Sequence, residues 1–176
     1  FRELAPDEVP PGEKVALIGP SGAGKSTITR LIQRYMDPEH GVIRVNGHDL
    51  KLVDLRSWRR LVGYIPQAPR VFDGTLRDNL LYNLPPEVRS TISDEQIWQI
   101  MRLLRIDFGA RLTHGLDTRV GRGGMKLSGG EAQRVMIGAA AIKRPRFMII
   151  DEATSSLDAE NQAAVQAGID QLLAQE

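Results

Sequence analysis

The 176 residues contain no cysteine, which excludes disulfides and thiolate metal sites and by itself leaves the compartment open. They also lack a dominant charge. Lys and Arg number 23 against 22 Asp and Glu, a formal net charge of +1, and such near-neutrality leaves no electrostatic footprint for a nucleic-acid partner. No apolar run approaches the roughly 20 residues that a membrane span requires, and no stretch reads as a signal peptide. Any spans that serve this chain are therefore expected elsewhere, on a longer chain or on a partner. Internal repeats, low-complexity linkers and coiled-coil heptads are missing too. With 41% apolar and 26% charged residues, the balance is that of one ordinary domain with a real core.

What is present is an alternation of short strand-like runs and longer helical patterns, which argues for an α/β layered fold. Val15-Ala16-Leu17-Ile18 reads as a strand. A helix follows from near Lys25, with Ile28, Leu31, Ile32 and Tyr35 at helical spacing. Val42, Ile43 and Val45 read as a strand ending in the tight turn Asn46-Gly47, and Tyr64-Ile65 before Pro66 as another. From about residue 75 to 140 the pattern turns mainly helical. Thr75 with Asp78 caps a helix through Tyr82. Ser93 with Gln96 makes a second capping box, behind which Ile97, Ile100, Met101 and Leu104 share a face. Phe147 to Ile150 then forms an apolar strand ending in Asp151-Glu152. The result is a mixed α/β core interrupted by a helical insertion.

Gly19-x-x-x-x-Gly24-Lys25-Ser26 has the spacing of a phosphate-binding loop, with a strand before it and a helix after it. A loop with little Cβ bulk lets consecutive backbone N–H groups converge on a phosphate, and the helix start adds partial positive charge. Gly19, Pro20, Ser21, Gly22, Ala23, Gly24, Lys25, Ser26 and Thr27 form the candidate cradle. Within it, Lys25 is placed to reach β- and γ-phosphates and the Ser26 hydroxyl to ligate Mg²⁺. A chance glycine loop with a surface lysine is the bland alternative, and the correct flanks weigh against it.

Asp151 and Glu152 emerge at the carboxyl end of an apolar strand, where open α/β sheets place ligands. Asp151 is suited to the Mg²⁺ shell, and Glu152 to polarising an attacking water. By themselves two acids after a strand mean only a turn; a phosphate loop upstream gives them a ligand to serve. Between loop and acids, Ser128 and Glu131 form a capping box for a helix running towards Ile142, and Gly129-Gly130 leave its start bare. That is a second anion-seeking helix start in one small domain.

Leu127-Ser128-Gly129-Gly130-Glu131-Ala132-Gln133-Arg134 resembles the signature of the ATP-binding cassette (ABC) family. The resemblance covers nearly the whole chain. Gly19 to Thr27 matches the family's first nucleotide motif, Gln67 its Q-loop, 147–152 its second nucleotide motif and Ser155-Ser156-Leu157-Asp158 its D-loop. It implies a P-loop NTPase core, α/β with a mainly parallel sheet, a small antiparallel β part and an inserted helical subdomain. The single domain over 1–176 would divide into a core of about 1–67 and 143–176 and a helical part of about 68–142, trimmed at both ends.

The resemblance further implies ATP and Mg²⁺, with Glu152 and Gln67 catalytic and Ser26, Gln67 and Asp151 around the metal. A second nucleotide-binding domain would pair head to tail with this one. Ser128, Gly129, Gly130 and Glu131 would then meet nucleotide across the dimer, beside the D-loop residues Ser156, Leu157 and Asp158. Gln67 to Leu80, with its aromatic, Gly-Thr and acidic-Asn pair, is similar to the exporter form of the family. That form implies an ATPase at the cytoplasmic face of a membrane, with a transmembrane domain contacting about 68–80 and 118–124.

Some positions depart from the pattern. No histidine follows Glu152, and His40, His48 and His114 come too early to replace it, so they read as surface or loop residues. Phe1 is a poor adenine-stacking aromatic, Arg122 stands where exporters carry an acid, and Ala139 where the family commonly has arginine. Two other readings remain open at this point: a non-transport cassette ATPase acting on DNA or ribosomes, and a nucleotide-binding regulatory module without turnover.

Overall fold

In the computed structural model, residues 9–151 and 159–173 are described. The chain divides into two compact units, Phe1–Leu52 and Val53–Glu176.

In the first unit the glycine-rich loop leads into α1 (Lys25–Ile32). The helix stops because Arg34 adopts φ 53°. Tyr35, expected on its apolar face, therefore lies past its end and is exposed. A hairpin follows, β1 (Arg44–Val45) and β2 (His48–Asp49), paired antiparallel across Asn46-Gly47. Both turn residues have positive φ, 49° and 79°, the geometry that an Asn-Gly pair supplies at least cost. The expected strand over Val15–Ile18 is not seen: among the described residues no ladder joins it, and Ile18 is 87% exposed. An extended segment becomes a strand only when its N–H and C=O groups meet a neighbour's. Among the described residues of this unit the only ladder is the hairpin.

The second unit holds a continuous core. Its helices are α2 (Leu55–Leu61), α3 (Leu76–Leu81), α4 (Pro86–Arg89), α5 (Asp94–Leu103), α6 (Gly129–Ile142) and α7 (Ala159–Leu173). β3 (Val62–Ile65) and β6 (Phe147–Ile150) pair in parallel, with Val62 opposite Phe147 and Ile65 opposite Ile150. β4 (Gly74–Thr75) and β5 (Arg119–Val120) pair antiparallel. Ile65, Leu76, Leu80, Ile97, Met101, Val135, Ile137, Val165 and Ile169 bury their side chains together. Each such burial stabilises by about 1.5–3 kcal/mol. Among the described residues no helix is long and apolar enough to cross a membrane.

The capping signals in the sequence act where they stand. Thr75–Asp78, Ser93–Gln96 and Ser128–Glu131 each form a reciprocal capping box, at the starts of α3, α5 and α6. Arg77 ties two of these elements together, bonding Asp94 in the first turn of α5 and Asp117 at 2.9 Å in a neighbouring 3₁₀ turn. In α7, Gly168 lets the helix approach the end of α5: a Cβ there would lie 2.6 Å from the Leu103 carbonyl oxygen.

Gly168→Ala therefore reverses the usual helix preference for alanine. The expected loss is about 1–3 kcal/mol in denaturant unfolding, and a gain in stability rules out the close approach. A second outcome concerns acid. The Thr75 N–H, and after it the Thr75 hydroxyl, hold the Asp78 carboxyl below the usual carboxylate range. With a folded pKa below the unfolded one, its contribution is present above about pH 4 and is lost as pH falls through the depressed value. The gap in thermal midpoint between parent and Asp78→Ala is thus widest at neutral pH and narrows as the pH falls below about 4. A gap of constant size would exclude the ionised carboxylate as its source.

Candidate functional site

The first unit carries the candidate phosphate loop. Gly24, at φ 87°, caps α1 in the left-handed region, and no side chain caps the helix. A Cβ on Gly22 (φ 83°) or Gly24 would meet nothing within 4 Å, so these glycines are needed for backbone conformation and not for space. The first intrahelical bond runs from Ile28 N–H to the Gly24 carbonyl at 3.0 Å. The N–H groups of Lys25, Ser26 and Thr27 thus precede the ladder, and no acid stands in the first turn. Ser26 and Thr27 are exposed. Lys25 arches back over the loop, its Nζ donating to the Gly19 carbonyl at 2.6 Å and the Pro20 carbonyl at 3.0 Å. Bare amides, a helix start and an ammonium group therefore occupy one turn, a set suited to a polyphosphate.

The second unit brings Gln67 and Asp151 to one end of the β3–β6 pair. Ile65 is the register partner of Ile150, and the Asp151 N–H extends the ladder to the Ile65 carbonyl at 3.0 Å. Gln67, two residues beyond β3, and Asp151, one beyond β6, consequently leave the sheet together. The Tyr64 hydroxyl donates to Asp151 Oδ2 at 3.3 Å, orienting that carboxylate. On the side of α6, Gln133 Nε2 donates to the Pro66 carbonyl at 3.4 Å. Glu152, Ser156, Leu157 and Asp158 lie outside the described residues.

The start of α6 keeps Ser128 and Gly129 exposed, and a Cβ on Gly129 would meet nothing within 4 Å. Glu131 closes the capping box, its Oε2 accepting from Ser128 N–H at 2.8 Å. A carboxylate at a helix start would repel an approaching phosphate, but here Glu131 is also paired with Arg111. Burial pushes the Glu131 carboxyl up; the Ser128 N–H and the Arg111 guanidinium outweigh it and hold the group below its usual range. Sequence reasoning passed over Arg111, which stands 20 residues away with no periodic relation to the helix.

Two segments expected to face a partner are clasped into one ledge. Asn79, 3% exposed, accepts from Phe72 N–H at 2.8 Å and donates to the Phe72 and Thr75 carbonyls at 3.1 and 2.9 Å. Asp73 accepts the Arg122 N–H, and Leu76 N–H reaches the Thr118 carbonyl at 2.9 Å. With the β4–β5 pairing, these bonds join residues 72–76 to 118–122. His40, His48 and His114 are exposed, and Ala139 is fully buried.

The family model for ABC transporters matches residues 7–155. The mitochondrial ATP-dependent permease MDL1 of Saccharomyces cerevisiae is 42% identical over 158 residues, 89% of this chain and 22% of that protein. A multidrug resistance ABC transporter ATP-binding and permease protein of Lactococcus lactis subsp. cremoris is 38% identical over 167 residues, 94% of this chain and 28% of that protein. A solved bacterial Atm1-family ABC exporter with ATP bound is 38% identical and aligns with a TM-score of 0.78, covering 88% of this chain and 27% of that one. The chain thus spans only 12% to 28% of the length of curated relatives that it matches. Its fold is the α/β P-loop fold of the ABC ATPases, with parallel and antiparallel parts. On the phosphate loop, the signature helix and these matches together, the chain belongs to the ABC transporter family and corresponds to the nucleotide-binding domain of its exporters.

Proposed function

We propose that this chain binds and hydrolyses ATP and that its pairing with a second nucleotide-binding domain drives export across a membrane. The observation that carries the reading is the start of α1: three amides ahead of the helix ladder, no competing acid and a lysine folded over the loop. Bound Mg·ATP would supply the cleavable terminal phosphoryl bond and its divalent counter-charge. Lys25 exchanges its two carbonyl partners for phosphate oxygens, and backbone N–H groups between Gly19 and Thr27, Pro20 having none, surround those oxygens. The Ser26 hydroxyl, the Asp151 carboxylate and the Gln67 side-chain oxygen are hard donors of the kind Mg²⁺ takes. Among the described residues no three His, Cys, Asp or Glu gather into a metal cage. A Mg²⁺ that arrives with phosphates needs only one or two carboxylates.

Glu152 polarises the attacking water while Gln67 orients it. Ser128, Gly129, Gly130 and Glu131 meet the nucleotide held by the second domain, and Ser156, Leu157 and Asp158 lie between the two. The ledge within 68–80 and 118–124 receives the transmembrane domain at the cytoplasmic face, and residues of about 68–142 move as a helical subdomain against the rest. A rigid ledge suits that duty, because a soft one would absorb the motion it has to pass on.

Two substitutions test the chemistry in the intact protein. Lys25→Ala is expected to weaken ATP binding by about tenfold or more in a nucleotide titration, the loss of a charge-assisted contact. Unchanged affinity sinks the loop assignment. Glu152→Gln is expected to retain ATP binding while turnover drops by about 10²-fold or more. A variant that still hydrolyses ATP near the parent rate removes Glu152 from the mechanism.

A further inference from the structure

Gln133 stands where its helix calls for an apolar residue. It lies in the second turn of α6, just ahead of a run from Val135 to Ile142 that is buried throughout, and is itself 0% exposed. Its carboxamide is incompletely satisfied. Nε2 reaches the Pro66 carbonyl at 3.4 Å, long for such a bond, and Oε1 has no hydrogen-bond partner among the described residues. The adjacent Arg134 Nε is likewise buried without a partner among them. A buried amide with an unmet oxygen destabilises a fold, and an apolar side chain of similar volume removes that penalty. Folding alone therefore does not account for a glutamine here.

The bond from Nε2 points to its role. Pro66 is the single residue between the end of β3 and Gln67. From the sheet side, the same strand end is fixed by Asp151 N–H on the Ile65 carbonyl at 3.0 Å. The tether of Gln67 is thus gripped by β6 on one side and, through Gln133, by the helix that begins at Ser128 on the other. We propose that Gln133 is a positioning residue for hydrolysis: it holds the Pro66 carbonyl from α6, so that Gln67 follows any shift of the signature helix while staying in register with Asp151. A long bond with a spare acceptor beside it makes a joint that tightens or relaxes as α6 moves. A fully satisfied network would lock it. The inference rests on the ATP-hydrolysis reading above.

The test compares Gln133→Met and Gln133→Leu with the parent in the intact protein, reading kcat, KM for Mg·ATP and thermal midpoint. Expected for both variants is a fall in kcat of about tenfold or more, as for other supporting partners of a reacting centre, with KM unchanged and a thermal midpoint equal to or above the parent's. Unchanged kcat in either variant overturns the proposal. So does a loss of kcat accompanied by a raised KM or a lowered midpoint, which marks a merely structural side chain. A parent that turns over no ATP overturns both readings. A parent that does, alongside variants that match it, overturns this one alone.

Discussion

The parallel pairing of β3 with β6 is the constraint on which the second unit depends. Parallel strands exchange evenly spaced bonds, so the register of four residue pairs, Val62–Phe147 to Ile65–Ile150, fixes where both chains leave the sheet. Gln67 and Asp151 are 84 residues apart in sequence and share one exit because of it. The extra bond from Asp151 N–H to the Ile65 carbonyl carries the ladder one step past the strands, to the candidate site. α6 is the other support: its buried residues join the same core, and its Ser128-Gly129 start stays exposed.

The two helix starts solve the same electrostatic problem differently. α1 has neither a side-chain cap nor an acid, so its amides are left for a ligand. α6 keeps a stabilising capping box, whose carboxylate would oppose an anion, and sets Arg111 against that carboxylate. A helix whose first turn is satisfied internally is also sturdier. On the function proposed above, α1 would grip phosphate with its own backbone and α6 would offer it a tip whose carboxylate is already paired.

Local rules went far in this chain. The three capping boxes, the Asn46-Gly47 hairpin turn and the strand Phe147–Ile150 are written in residues at most a few positions apart, and each forms as its pattern requires. The strand expected over Val15–Ile18 failed for an instructive reason. Apolar character favours extension, but a strand exists only through a partner that no run of four residues can specify.

Taken by itself, the sequence determined the candidate phosphate loop, the capped start of α6 and the family, because glycine spacing, caps and acids after a strand act through backbone geometry within one turn. Only tertiary structure decided which distant groups act together. It set Tyr64 on Asp151, Arg111 on Glu131, Asp73 on the Arg122 N–H, and Gln133 on the Pro66 carbonyl. Those pairs are separated by 87, 20, 49 and 67 residues. No periodicity connects such positions. Packing of the core around β3, β6 and α6 does, since side chains meet only once the elements that bear them have been forced together by burial.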